Sequence, residues 1–280
     1  MIYSRFYDHV LTEIEAGNVH DGINMLVGML DTVGLQAQTM AQATRELHRH
    51  SLNAMLLEDP LIAHAKAKPD ATGDRVRLIG HTADGAEMSS TGRRIAAVTG
   101  ELSFARAIRQ RHACAVQKLS RAHRQGLSIA LISTEGQAMV VELNSADVSA
   151  ISVIKPNAAI PTFQHFASTH TRYDLILGPD LLDTSTTPQN AKLLQLMARC
   201  LSEQGSIIVA ALLPQHLGAG WLNACLNWKP QWHDEATLQT LGQSAGLAVR
   251  AYRDESDCII WAELKHAPIG KFMGGHNHVN

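Results

Sequence analysis

Aromatic side chains make up only 5% of this 280-residue chain, and neither sign of charge dominates: Lys+Arg number 24, Asp+Glu 26, and the formal net charge is −2. A near-neutral balance gives no electrostatic reason to expect nucleic acid as a partner. Long apolar runs are also missing, and none approaches the ~20 residues that span a bilayer. The N-terminal MIYSRFYDHVLTEIEAG lacks the apolar core of a signal peptide, so the expected location is the cytoplasm. Cysteines are few and scattered (Cys114, Cys200, Cys225, Cys258), without CxxC pairing, which argues against a zinc knot or a disulfide framework. What remains is a globular composition, 45% apolar, with a surplus of 15 histidines.

Periodicity divides the chain. Residues 2–16 and 19–45 place apolar side chains at helical spacing, with Asp21 a candidate N-cap for the second helix. A third helix is predicted over 46–57, ending near Asp59-Pro60 because proline restricts the residue before it. Residues 68–92, rich in Gly, Asp, Ser and Thr, read as a loop or hinge, and a long helix follows over about 93–125, closed by Gly126. After it the period shortens. SIALIS (128–133), ISVI (151–154), YDLIL (173–177) and SIIVAALL (206–213) are strand-like runs alternating with helices at 189–201 and 234–246. Residues 247–253 and 258–264 close the pattern as an antiparallel-looking pair. Continuously apolar strands separated by helices indicate a parallel α/β sheet covered on both faces. Residues 267–280 read as a flexible tail.

Two stretches carry a resemblance. Tyr173-Asp174-Leu175-Ile176, an amphipathic helix, and CLSEQGSIIVAALLP with Leu201 and Gly205 are similar to the fourth and fifth strands of class I S-adenosylmethionine (SAM)-dependent methyltransferases. Upstream, LHRHSLNAMLLEDPLIAHAKAKPDATGD and the later IRQRH resemble "LHxHPLxxxLxEDPxTxRAxxKPRGYAGD" and "hRxR". Those patterns belong to the methyltransferases resembling the extracellular-factor enzyme that makes 3-hydroxypalmitic acid methyl ester. The resemblance covers roughly residues 40–265. It implies a Rossmann-like class I methyltransferase sheet (96–266) behind an N-terminal α-helical lid or cap (1–95). It also implies SAM as cofactor and O-methylation of a carboxylate or hydroxyl on a small or acyl substrate.

Carried over residue by residue, the resemblance marks His50, Asp59, Arg109 and Arg111 as catalytic or substrate-orienting. His50 is a candidate base, and Arg109 and Arg111 a candidate carboxylate clamp. Each has a plainer reading: a solvated face with Arg45, Glu46 and Arg49 for the histidine, a basic surface stripe for the arginines. Asp183 stands at the position of the family's "LFDYL" aspartate, after strand four, with a turn-capping role as its alternative. The donor loop departs most. Where the family reads "LGCGPxxE", this chain has Leu131-Ile132-Ser133-Thr134-Glu135-Gly136-Gln137, keeping one glycine and adding a charge. Where an acidic residue would accept from the ribose hydroxyls, it has Lys155-Pro156-Asn157, and lysine has no acceptor. Ser133, Glu135, Gly136 and Asn157, together with Asp183, are therefore the candidate cofactor contacts.

Three explanations stand. The alignment is shifted, bringing Glu142 or Asp147 into play; SAM binds in an unusual manner; or the donor site is degenerate and the chain is a pseudo-methyltransferase, a scaffold for a ligand, a protein partner or a second copy of itself. His276 and His278, after Gly-Gly and without Cys or carboxylate support, read as tail rather than metal ligands.

Overall fold

The computed structural model describes residues 2–69, 79, 88–213 and 218–267. Most of the predicted 68–92 loop, the tail beyond 267, and His276 and His278 with it, lie outside the described residues.

The first third is helical, as its periodicity predicts, but in shorter pieces. Helix α1 spans Ser4–Glu15, α2 Val19–Gly34, α3 Ala37–Arg49, α4 Ser51–Leu56 and α5 Pro60–Ala67. The expected single helix over 19–45 breaks at Gln36, which is extended (φ −128°, ψ 123°). The one expected over 46–57 breaks at His50, also extended (φ −87°, ψ 150°), so that its ring Nδ1 accepts from Leu52 N and starts α4. Asn18 rather than Asp21 occupies the N-cap position of α2. The long helix expected over 93–125 is α6 (Ser90–Thr99) and α7 (Ser103–Arg124), because Leu102 between them is extended in ψ (147°). Gly126 ends α7 in the left-handed region (φ 69°).

The sheet contains β1 (Ile129–Ile132), β2 (Ile151–Ile154), β3 (Tyr173–Gly178), β4 (Leu201–Leu212), β5 (Leu247–Arg253) and β6 (Ile259–His266), in the order β2-β1-β3-β4-β6-β5. The first four strands are parallel; β6 runs antiparallel to both β4 and β5. Strand β4 begins earlier than the expected 206. Leu201 already pairs with Tyr173, and a register shift between Tyr173 and Leu175 absorbs the extra residues. Gly205 sits in that irregularity, where a Cβ would come 2.9 Å from Tyr173 O.

Helices α8 (Gly136–Glu142), α9 (Ala159–Ser168), α10 (Leu181–Thr184), α11 (Thr187–Arg199), α12 (Ala219–Ala224) and α13 (Glu235–Ser244) complete the chain, with a 3-10 turn at Pro156–Ala158. Alternating strand residues feed two cores. Ile129, Leu131, Leu175, Leu177, Leu212 and Trp261 face the N-terminal helices and α7. Ala130, Ile132, Ile176, Val209 and Ile260 pack with α9, α11 and α13. This is the Rossmann-like α/β architecture with an N-terminal helical region that the resemblance implies.

The helical region is tied to the sheet by polar contacts as well. The Asp31 carboxylate on α2 accepts from Gly218 N and Gly220 N, both at 2.7 Å, and His48 Nε2 donates to Ala224 O at 3.0 Å.

Candidate functional site

In a parallel sheet of this order the chain turns to the other side between β1 and β3, and the crevice at the carboxyl ends of those strands is the usual ligand site. Here that crevice is bridged. Thr134, just after β1, donates from its backbone N (3.1 Å) and its Oγ1 (2.6 Å) to Asp180 Oδ2, just after β3. Ser133 Oγ accepts from Glu135 N at 3.1 Å and so closes the turn on itself. Behind the bridge, Arg111 Nη1 on α7 donates to Asp183 Oδ2 at 2.5 Å, while Asp183 Oδ1 accepts from Leu212 N at the end of β4 (3.0 Å). Arg111, Ser133, Glu135, Asp180 and Asp183 are all at most 5% exposed.

Burial pushes the Asp183 carboxyl above its ordinary value, and the Arg111 charge opposes that shift. His233 joins from the other side: its N donates to Leu212 O and its Nε2 to Leu182 O, and burial lowers its pKa. The space left between Arg111, His112, Ser133, Glu135 and Asp180 is about 20 Å³.

Of the residues marked in the sequence, the structure gathers Arg111, Ser133 and Glu135 around this small cavity, with Asp183 bonded to Arg111. Gly136 opens α8, and a Cβ there would fall 2.7 Å from Val153 Cγ1. Its bareness therefore serves the packing of α8 on β2. Asn157 is exposed in the 3-10 turn after β2, beside exposed Lys155.

The remaining marked residues make structural contacts of other kinds. His50 caps α4, pairs with Asp8 at 3.1 Å and lies against the Tyr7 ring at 5.6 Å. Asp59 caps α5 through Leu61 N (2.8 Å) and accepts from Thr99 Oγ1 (2.6 Å), with burial pushing its carboxyl up. Arg109 pairs with Glu101 at 3.1 Å and is 28% exposed, whereas Arg111 is buried against Asp183. Thr134 is the residue sequence reasoning passed over. Its signal was its place directly after an apolar strand, beside the polar turn.

The resemblance implies SAM as cofactor, and in this arrangement the bridge between Thr134 and Asp180 crosses the crevice where it would lie. Behind that bridge the described residues leave about 20 Å³, room for about one water and not for a nucleoside-sized donor. A buried Glu135 side chain stands where a bare backbone would be needed, and the end of β2 offers only an exposed amide. Larger concavities lie elsewhere. One of about 590 Å³ runs between α7 and the β5–β6 edge, where Lys118 Nζ sits 5.0 Å from the centre of the Trp261 ring. Another, about 270 Å³, lies among α3, α4, α5 and α12. Among the described residues no group of three His, Cys, Asp or Glu side chains is placed to hold a metal, and no helix is long and apolar enough to cross a membrane.

No protein-family model and no curated protein matches the chain. Solved structures do. A possible exported protein of Bordetella parapertussis is 16% identical, over 68% of this chain and 78% of that one, with a TM-score of 0.48. Magnesium protoporphyrin IX methyltransferase of Synechocystis, with bound S-adenosylhomocysteine (SAH), is 13% identical over 74% of this chain and 100% of that one, at 0.43. An O-methyltransferase of neocarzinostatin biosynthesis, in complex with SAH and 1,4-dihydroxy-2-naphthoic acid, is 15% identical over 95% and 94%, at 0.36. These scores are low, and the fold rests on the strand order and register above.

Proposed function

We propose that the chain is a divergent homologue of SAM-dependent methyltransferases whose donor site is degenerate, and that the fold now serves as a non-catalytic scaffold for a ligand or a protein partner. Support for the homology comes from the resemblance together with the pairing of two positions it marks, Arg111 and Asp183, which are 72 residues apart. The closed crevice is the single observation that carries the loss of the donor site. Thr134 and Asp180 bond across the switch point, and only about 20 Å³ remains behind them. A methyl donor must lie in that crevice if the sheet is to supply proximity and orientation to an acceptor.

The test is calorimetry of the full chain with SAM and with SAH. The expected result is no binding heat at millimolar ligand. Micromolar binding of either would overturn this reading. It would establish instead that the crevice opens, with O-methylation of a carboxylate or hydroxyl on a small or acyl substrate as the activity to assay.

A further inference from the structure

The two hydrogen-bonded halves of the closed crevice each stop one bond short. Arg111 uses Nη1 on Asp183, and its Nη2 is buried with no partner. Asp180 uses Oδ2 on Thr134, and its Oδ1 is buried with no partner. Both side chains are nine-tenths or more buried, at 2% and 3% exposure, and both line the same cavity of about 20 Å³. Leaving a buried donor and a buried acceptor unpaired is costly, and more so when the group is charged.

Charge and size select what fills the gap. A cation would face the guanidinium of Arg111, and an anion would face the carboxylates of Asp180 and Glu135. An apolar group would leave both unpaired atoms as they are. A water molecule accepts from one and donates to the other, and roughly 10–15 Å³ is enough to hold one.

We propose that one water occupies this cavity, accepting from Arg111 Nη2 and donating to Asp180 Oδ1, and that it joins the two halves into a single network. The chain of bonds then runs from Leu212 N on β4 through Asp183, Arg111 on α7, the water and Asp180 to Thr134 after β1. Three strand ends and α7 are locked by one connected set of groups. The inference rests on the closed crevice being the folded form of the protein. It adds that the residual space is a finished solvent seat and not the remnant of a donor pocket.

A crystal structure of the full chain, resolved well enough to place waters, tests this directly. The expected result is one ordered water within hydrogen-bond distance, about 2.7–3.1 Å, of both Arg111 Nη2 and Asp180 Oδ1. A dry cavity, or either atom turned onto a protein partner, overturns the proposal. In solution, oxygen-17 relaxation dispersion counts long-lived internal waters. Ile108→Phe, which fills the cavity from α7, is expected to lose one such water relative to the wild type, and an unchanged count in the folded variant overturns the proposal. Should that variant not fold, the wild-type crystal structure decides alone. SAM binding to the wild type, with the water present in the ligand-free crystal, would remove the proposed function and leave the solvent seat standing.

Discussion

His233 is surrounded so that its neutral form is favoured. It is 1% exposed, its Nε2 donates to Leu182 O, its Nδ1 has no partner, and burial holds its pKa below the ordinary value. A histidine depressed in the folded state contributes stability that is fully present above its unfolded pKa of about 6.5 and is lost as pH falls through the folded value. The thermal midpoint is therefore expected to be lower near pH 5 than near pH 8. His233→Gln, which keeps a donor for Leu182 O without a titrating ring, should flatten that difference. Midpoints that shift with pH equally in both proteins would refute the assignment. At this scale the sequence named Arg111, Asp183, Ser133 and Glu135 but not their relation. Residue types at strand ends are readable; a guanidinium reaching a carboxylate 72 positions away depends on how α7 crosses the sheet. The capping contacts of His50 and Asp59 were not legible for a related reason, since a histidine or aspartate that caps a helix looks in one dimension like one that handles protons.

Between elements, the contact of α2 with α12 leaves little slack. A Cβ on Gly220 would fall 2.2 Å from Leu30 O, and Gly218 holds a left-handed φ of 105° so that both N–H groups reach Asp31. Gly220→Ala should cost about 1–3 kcal/mol by overpacking, read as a lower denaturation midpoint at unchanged m-value. A neutral effect would show that α12 can move away from α2. Elements were legible where the signal was continuous: ISVI is the strand found, and the 189–201 helix is α11 displaced by two residues. Breaks were not. The apolar period of α2 runs on into α3 across Gln36, and nothing in local preference announces an extended His50. The early start of β4 escaped because LSEQG reads as a turn until the register shift opposite Tyr173 is known.

Across the whole molecule, one cluster of buried side chains runs from Tyr7 through Leu30 and Phe104 to Leu212 and Trp261, so the helices and one face of the sheet share a core. Unfolding is accordingly expected as one cooperative transition, with far-ultraviolet and near-ultraviolet circular dichroism giving coincident curves. A separate early loss of helix would contradict it. The fold class was legible because alternation of period is a global property of the chain. Closure of the crevice was not, because it depends on distances between the ends of strands that the sequence only orders.

The Asp31 carboxylate has a consequence for how the protein is born. Its partners, Gly218 N and Gly220 N, lie 187 and 189 residues downstream. At ordinary translation speeds of about 5–20 residues per second, α2 leaves the ribosome on the order of 10–40 s before its docking site exists. During that interval the face built from Ile23, Leu26, Val27 and Leu30 has only its helical neighbours to cover it. A nascent chain of this design is exposed to chaperones and to premature association for longer than its helical N-terminus alone would suggest.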